Sequence, residues 1–237
     1  MPGKATPRFT PAALNFLRLL ARNNRREWFN ARKATYESEL KHPMLELIAA
    51  VNDDLAEYAP DMIVPPEKAM FRIYRDTRFS NNKLPYKTHV AAYFKPRVMA
   101  KTSGAGYYFH ISAKEVFIGA GAYMPEREQL LAIRMHIAEH HEELRKILKN
   151  RQLRKLMSEL EGAQLTRVPK GFAKEHPAAD LLRHQQWAVG ATLPAKLATS
   201  GTLLRELTKR MRVAAPLVEF LNRPLQAKKR EGLKFMI

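Results

Sequence analysis

Apolar residues change their spacing twice along this chain. Thr10 and Pro11 read as an N-cap followed by proline at the first helical position, and Leu14, Leu17 and Leu20 then recur at helical intervals. The spacing predicts a helix over 10–22, a second from Trp28 to about Leu40, and a third opened by Pro43 with Met44, Leu47, Ile48, Val51 and Leu55 on one stripe. After the turn region Asp61 to Pro66 the period falls to two. Phe71 and Ile73 alternate with Arg72 and Tyr74, and Tyr86 to Lys95, Gly106 to Ser112 and Glu115 to Tyr123 repeat the pattern. The last two runs are separated by Ala113-Lys114 alone, which predicts a hairpin. From Pro125 the helical period returns to about Leu160, with a break near Asn150, then a loop over 166–177 and a final helix over 202–221 dented at Pro216.

Four strands with short connections predict a mainly antiparallel sheet, because parallel neighbours need crossovers of about a dozen residues or more. The expected fold class is therefore α+β: a single domain, helical over 10–58, sheet over 68–124, helical over 125–222, with a basic C-terminal tail over 223–237. At 237 residues and 46% hydrophobic content the chain buries enough apolar surface to exclude disorder. It has no cysteine, which excludes disulfides, thiol nucleophiles, thiolate zinc sites and iron–sulfur ligation. Its longest strongly apolar run, Val116 to Met124, is far shorter than the roughly 20 residues a membrane-spanning helix requires. Asn15 and Arg18 interrupt the first apolar stretch, so no secretory signal is read there, and a soluble, cytoplasmic protein is expected.

The charge is lopsided: 41 Lys and Arg against 23 Asp and Glu, a net +18. Residues 1–100 carry +7 of this and 101–237 carry +11, so no detachable basic tail accounts for it. The densest stretch, Arg205 to Ile237, includes Lys228-Lys229-Arg230 and reads as a solvated helix face with a frayed end. Such a field draws polyanions but is not itself a site.

One segment concentrates that charge. Between Arg72 and Lys87 lie Arg72, Arg75, Arg78, Lys83 and Lys87, with Asp76 as the one carboxylate. Guanidinium groups present planar paired donors that match phosphate and carboxylate, and lysine adds a movable point charge. Ser80-Asn81-Asn82-Lys83-Leu84-Pro85 has turn chemistry, which puts Lys83 on a loop between two strands. In this reading Arg72, Arg75 and Arg78 clamp an anion, Asp76 orients an arginine or takes a proton, and Lys83, Tyr86, Lys87, His89 and His110 close around it. Asp76, Lys83 and His89 are the candidates for chemistry. The structural alternative has Arg72 and Tyr74 facing solvent, Asp76 in a salt bridge or Asx turn, and Tyr86 half-buried in the core.

The pattern Arg72-x-x-Arg75-Asp76-x-Arg78-Phe79, followed by Asn82-Lys83-x-Pro85-Tyr86-Lys87, resembles the signature of a widespread, mostly bacterial family catalogued as a domain of unknown function. Gly106-Tyr-Tyr-Phe-His110-Ile-Ser, Gly119-Ala-Gly121 with the helix through Arg134, and Leu165-x-Arg167-x-Pro169-Lys170-Gly171 ahead of His176-Pro177 extend the resemblance from Phe9 to Trp187. It implies a single domain and a functional weight on residues 72–89. It implies no activity.

Other motifs are weaker. His136-Ile-Ala-Glu139-His140 matches the inverted zinc-protease spacing, yet no third ligand is identifiable and both histidines flank the buried stripe, so no metal is assigned. The glycines at 104, 106, 119 and 121 form neither a phosphate loop nor a dinucleotide fingerprint, and no cofactor is expected. Three readings follow. The first is a pocket for a small anionic or phosphorylated ligand, with catalysis left open. The second is a nucleic-acid-binding module on a broad basic surface, with Tyr74, Tyr93 or Tyr107 stacking on bases. The third is an interaction protein whose arginines are scaffold.

Overall fold

The structure, a computed structural model, describes residues 7–97 and 104–234, with side chains described as far as residue 226. Helix α1, Pro11–Arg22, starts where proline and an N-cap place it: the Thr10 hydroxyl accepts from the Ala13 amide at 3.2 Å and also bonds Glu39. Helices α2, Arg26–Asn30, and α3, Lys33–Tyr36, follow. Pro43 does not open a separate helix. A π-turn, Glu37–Lys41, carries α3 directly into α4, His42–Leu55, and the His42 amide reaches back to the Glu37 carbonyl. Proline has no N–H to return to the carbonyl four residues earlier, and a widened turn absorbs that missing bond.

After a 3₁₀ turn, Pro60–Met62, and the short α5, Pro66–Ala69, the expected strand at Phe71–Tyr74 is instead a ribbon held by isolated bridges, Met70 to Ala92 and Tyr74 to Tyr86. On this side Pro85 has no N–H to return to Arg75, whose own amide donates to the Pro85 carbonyl at 2.9 Å. On the opposite edge the amide and carbonyl of Tyr86 are both taken by the Asn24 side chain, at 3.0 and 2.9 Å. Asn24 thus stands where a further strand would pair.

The sheet is four-stranded and antiparallel, in the order β1, His89–Phe94; β2, Gly106–Ser112; β3, Glu115–Ala122; β4, Trp187–Pro194. The hairpin predicted between Ser112 and Glu115 is present, closed by the Ser112 hydroxyl, which accepts from the Lys114 and Glu115 amides at 3.1 and 3.0 Å. Strand β4 is unexpected: it falls between the loop read over 166–177 and the helix read from 202, inside the block assigned as helical over 125–222. Helix α6, Arg127–Leu148, and α7, Arg151–Leu156, are separated as expected, with the Asn150 side chain capping α7. A short α8, Ala179–Leu182, precedes β4, and a 3₁₀ turn, Ala195–Thr199, leads to α9, Leu203–Lys234. Helix α9 passes both Pro216 and Pro224, so the expected tail over 223–237 is helical to Lys234; the side chains of Lys228, Lys229 and Arg230 lie outside the described residues. The class is α+β, helices before and after an antiparallel sheet.

Packing divides the chain into two compact units, each assembled from three stretches. The first comprises Met1–Phe94, Tyr108–Ile118 and Thr192–Lys209; the second comprises Lys95–Tyr107, Gly119–Ala191 and Arg210–Ile237. In the first, Phe16, Leu17, Leu20, Leu40, Leu47 and Ile48 form the core, and the Phe9 amide bonds the Ala198 carbonyl at 2.9 Å. Trp28 is half-buried there with the Arg32 guanidinium 4.6 Å from its ring centre. In the second, Ile133, Ile137, Leu144, Leu217, Phe220 and Trp187 are buried, and the Trp187 indole N–H donates to the Leu181 carbonyl at 3.1 Å. Arg134 is buried beside it, satisfied by the carbonyls of Leu182 and His184 at 3.0 and 2.9 Å. Among the described residues no helix is long and apolar enough to cross a membrane.

Candidate functional site

The 72–89 segment folds around its own backbone. Arg75 spends one guanidinium nitrogen on the Leu84 carbonyl at 3.2 Å and another on the Ser80 hydroxyl at 3.5 Å. Lys83 returns its ammonium to the Thr77 carbonyl at 3.0 Å, and Asn82 accepts from the Leu84 amide at 3.0 Å. These bonds shape the turn that the Ser-Asn-Asn-Lys-Leu-Pro run predicts, and they leave Phe79 at its tip 95% exposed.

Asp76 and Arg78 pair with each other on the surface. The carboxylate accepts from the Arg78 amide at 3.2 Å, from Nε at 3.1 Å and from the terminal nitrogen at 2.8 Å. Those hydrogen bonds hold the Asp76 carboxyl down at about 2, so it is fully ionised at neutral pH and unsuited to taking a proton there. Lys87 points its ammonium at the Arg72 and Tyr74 carbonyls, at 2.6 and 3.5 Å, and lies 5.6 Å from the centre of the Phe71 ring. Burial, then Arg72 and Arg75, lower its proton affinity. The Arg72 side chain is exposed. His89, on β1, and His110, on β2, bring their rings to 4.9 Å from each other.

A cleft of about 280 Å³ opens beside this segment, lined by Arg26, Asn30, Tyr74, Arg75, Thr77, Pro85 and Tyr86. Of the nine residues nominated from sequence, Arg75 and Tyr86 line it. Arg72, Asp76, Arg78, Lys83, Lys87, His89 and His110 do not. The second guanidinium comes from Arg26 at the start of α2.

The floor is aromatic. Tyr86 stacks on Phe29 at 4.2 Å between ring centres, Tyr74 meets Phe29 edge-on at 6.1 Å and Tyr86 at 5.5 Å, and Tyr36 lies 5.3 Å from Phe29. Burial, with Glu37 and Tyr74 nearby, pushes the Tyr36 phenol up to about 12, and burial also raises Tyr86, so these phenols stay protonated and act as hydrogen-bond donors at neutral pH. Asn24 fixes Tyr86 by the two bonds described above. Sequence reasoning takes Asn23-Asn24 only as a helix break and passes over Arg26 and Asn30. The available signal was the run Asn23-Asn24-Arg25-Arg26, two amides and two cations ahead of the first acid, Glu27.

The His136 and His140 rings lie 4.6 Å apart on α6, where the backbone at His140 departs from helical geometry. Among the described residues no group of three or more acidic or histidine side chains is arranged to hold a metal ion.

No curated protein matches this chain. The model of one family does, over residues 12–220, which takes in the whole 72–89 segment, the cleft-lining residues of α2, the four strands and most of α9. On that span, far more than half its length, the chain belongs to the family described as "Conserved hypothetical protein (DUF2461)".

Proposed function

We propose that the cleft between α2 and the 74–86 ribbon binds a small anionic or phosphorylated ligand. The observation that carries this reading is the chemistry of its wall. Two guanidinium groups, two phenols, an amide and a hydroxyl line it, and no carboxylate does. Two cations on one small concave wall repel each other, and an anion between them removes that cost while accepting several charge-assisted hydrogen bonds. At about 280 Å³ the volume is at the lower end of small-molecule sites, which suits a phosphate-sized head with a short attached group.

Arg75 braces the loop as well as lining the cleft, so Arg26 gives the cleaner test. Calorimetric titration with inorganic pyrophosphate should show binding that Arg26→Ala weakens by about tenfold or more, as expected for charge-assisted bonds, with an unchanged melting temperature. Arg75→Ala should weaken binding and lower the melting temperature together. Equal affinity in wild type and Arg26→Ala would overturn the reading. The net charge of +18 favours a second reading, binding of nucleic acid over a broad surface. Affinity for a single-stranded oligonucleotide that falls steeply with salt and ignores Arg26→Ala would support that one instead.

A further inference from the structure

We propose a second site, separate from the cleft, in which Tyr108 is a base-assisted phenol nucleophile served by His110 and positioned by Glu115, acting on activated esters of aromatic or apolar acids. Residues 108 and 110 share one face of β2, and the tight turn after Ser112 brings Glu115 and Phe117 of β3 alongside them. On that face the Tyr108 hydroxyl is 3.2 Å from His110 Nδ1, and His110 Nε2 is 3.2 Å from Glu115 Oε1. An ionised carboxylate only accepts, so in the neutral ring Nε2 carries the hydrogen and gives it to Glu115. Nδ1 is then the lone-pair nitrogen, and the phenol must donate to it. Hydroxyl, base and orienting carboxylate are thereby in series, the arrangement by which weak hydroxyl nucleophiles are activated.

The surroundings agree. Burial lowers the proton affinity of His110, partly offset by Glu115, so the ring is a neutral base at pH 7. His89, the titratable neighbour on β1, is pushed down to about 4 by burial, by His110 and by Lys87, and stays uncharged when His110 takes a proton. Phe117 stacks against His110 at 5.4 Å between ring centres, and Phe71, 43% exposed, meets Tyr108 edge-on at 6.2 Å. Those rings favour an apolar or aromatic acyl group. In the step, Tyr108 Oη forms a bond to the ester carbonyl carbon, the ester C–O bond breaks, and the phenolic proton passes to His110 Nδ1 and on to the leaving oxygen. Water then hydrolyses the acyl-tyrosine.

The probe is p-nitrophenyl benzoate, with benzoyl transfer to each tyrosine followed by peptide mass spectrometry in the full chain. Exposure alone ranks Tyr123, at 69%, far ahead of the half-buried Tyr108. The expected result reverses that order, with Tyr108 acylated at least about tenfold faster, a modest share of what a positioned base supplies. His110→Asn should remove the advantage. Glu115→Gln should slow the reaction and move its pH midpoint lower, because the carboxylate supports the imidazolium, a shift that a purely structural role would not produce. Acylation of Tyr123 ahead of Tyr108 in the wild-type protein, or an unchanged Tyr108 rate in His110→Asn, would overturn the proposal.

Discussion

His89 and Asp76 both cost stability in acid, over different pH ranges. The folded chain holds His89 near 4, against an ordinary value of 6.5, because burial disfavours the imidazolium. Between those two values the unfolded chain binds a proton that the folded chain refuses, so stability falls as pH drops from about 6.5 to about 4. His89→Gln should flatten that slope by up to one proton, read from urea midpoints at neutral and mildly acid pH. Asp76 is depressed to about 2 from 3.8, so its contribution is present above 3.8 and lost as pH falls toward 2. The pair is exposed, which keeps the effect small. Asp76 was legible from sequence because its partners are two residues away: an Asx turn or an arginine bridge was the structural alternative, and both are present. Arg26 was not legible, because its approach to Arg75 depends on how α2 packs against a ribbon distant in sequence.

At the scale of elements, local closure separates what the sequence reveals from what it hides. The β2–β3 hairpin needs only alternation and one serine turn, and both strands are where the pattern puts them. Strand β4 has a weak signal: Val189 and its neighbour Gly190 are both buried, which breaks the alternation, and its last four residues are only half-buried or exposed. The ribbon over 71–74 alternates like a strand, but Pro85 has no N–H with which to complete its pairing with Arg75, while Asn24 holds the outer edge of Tyr86 by two bonds. Asn24→Ala removes both of those bonds from a partly buried backbone and should cost about 2 kcal/mol by urea denaturation. Pairing of β3 with β4 depends on Gly121, at φ +129°, where a Cβ would lie 2.1 Å from the Trp187 carbonyl oxygen. Gly121→Ala therefore combines backbone strain with a clash against another strand. A loss of about 3 kcal/mol or more is expected in the same measurement.

For the whole molecule, the excess of cations acts regardless of which site is correct. It favours encounter with any polyanion, so affinities measured for this protein carry meaning only at stated ionic strength. The two compact units are each drawn from three stretches of chain, and neither is a continuous segment that one cut would release. We propose that they fold as one cooperative domain. Trp28 lies in the first unit and Trp187 in the second, and the chain has no other tryptophan. Each unit therefore carries one tryptophan. Trp28→Phe and Trp187→Phe variants would each leave a single tryptophan, read selectively by excitation at the red edge beyond tyrosine absorption, and coincident melting curves from the two, corrected for each substitution's own cost, are the outcome expected of one cooperative domain. Separate midpoints would mean that the halves melt independently, each announced by its own light.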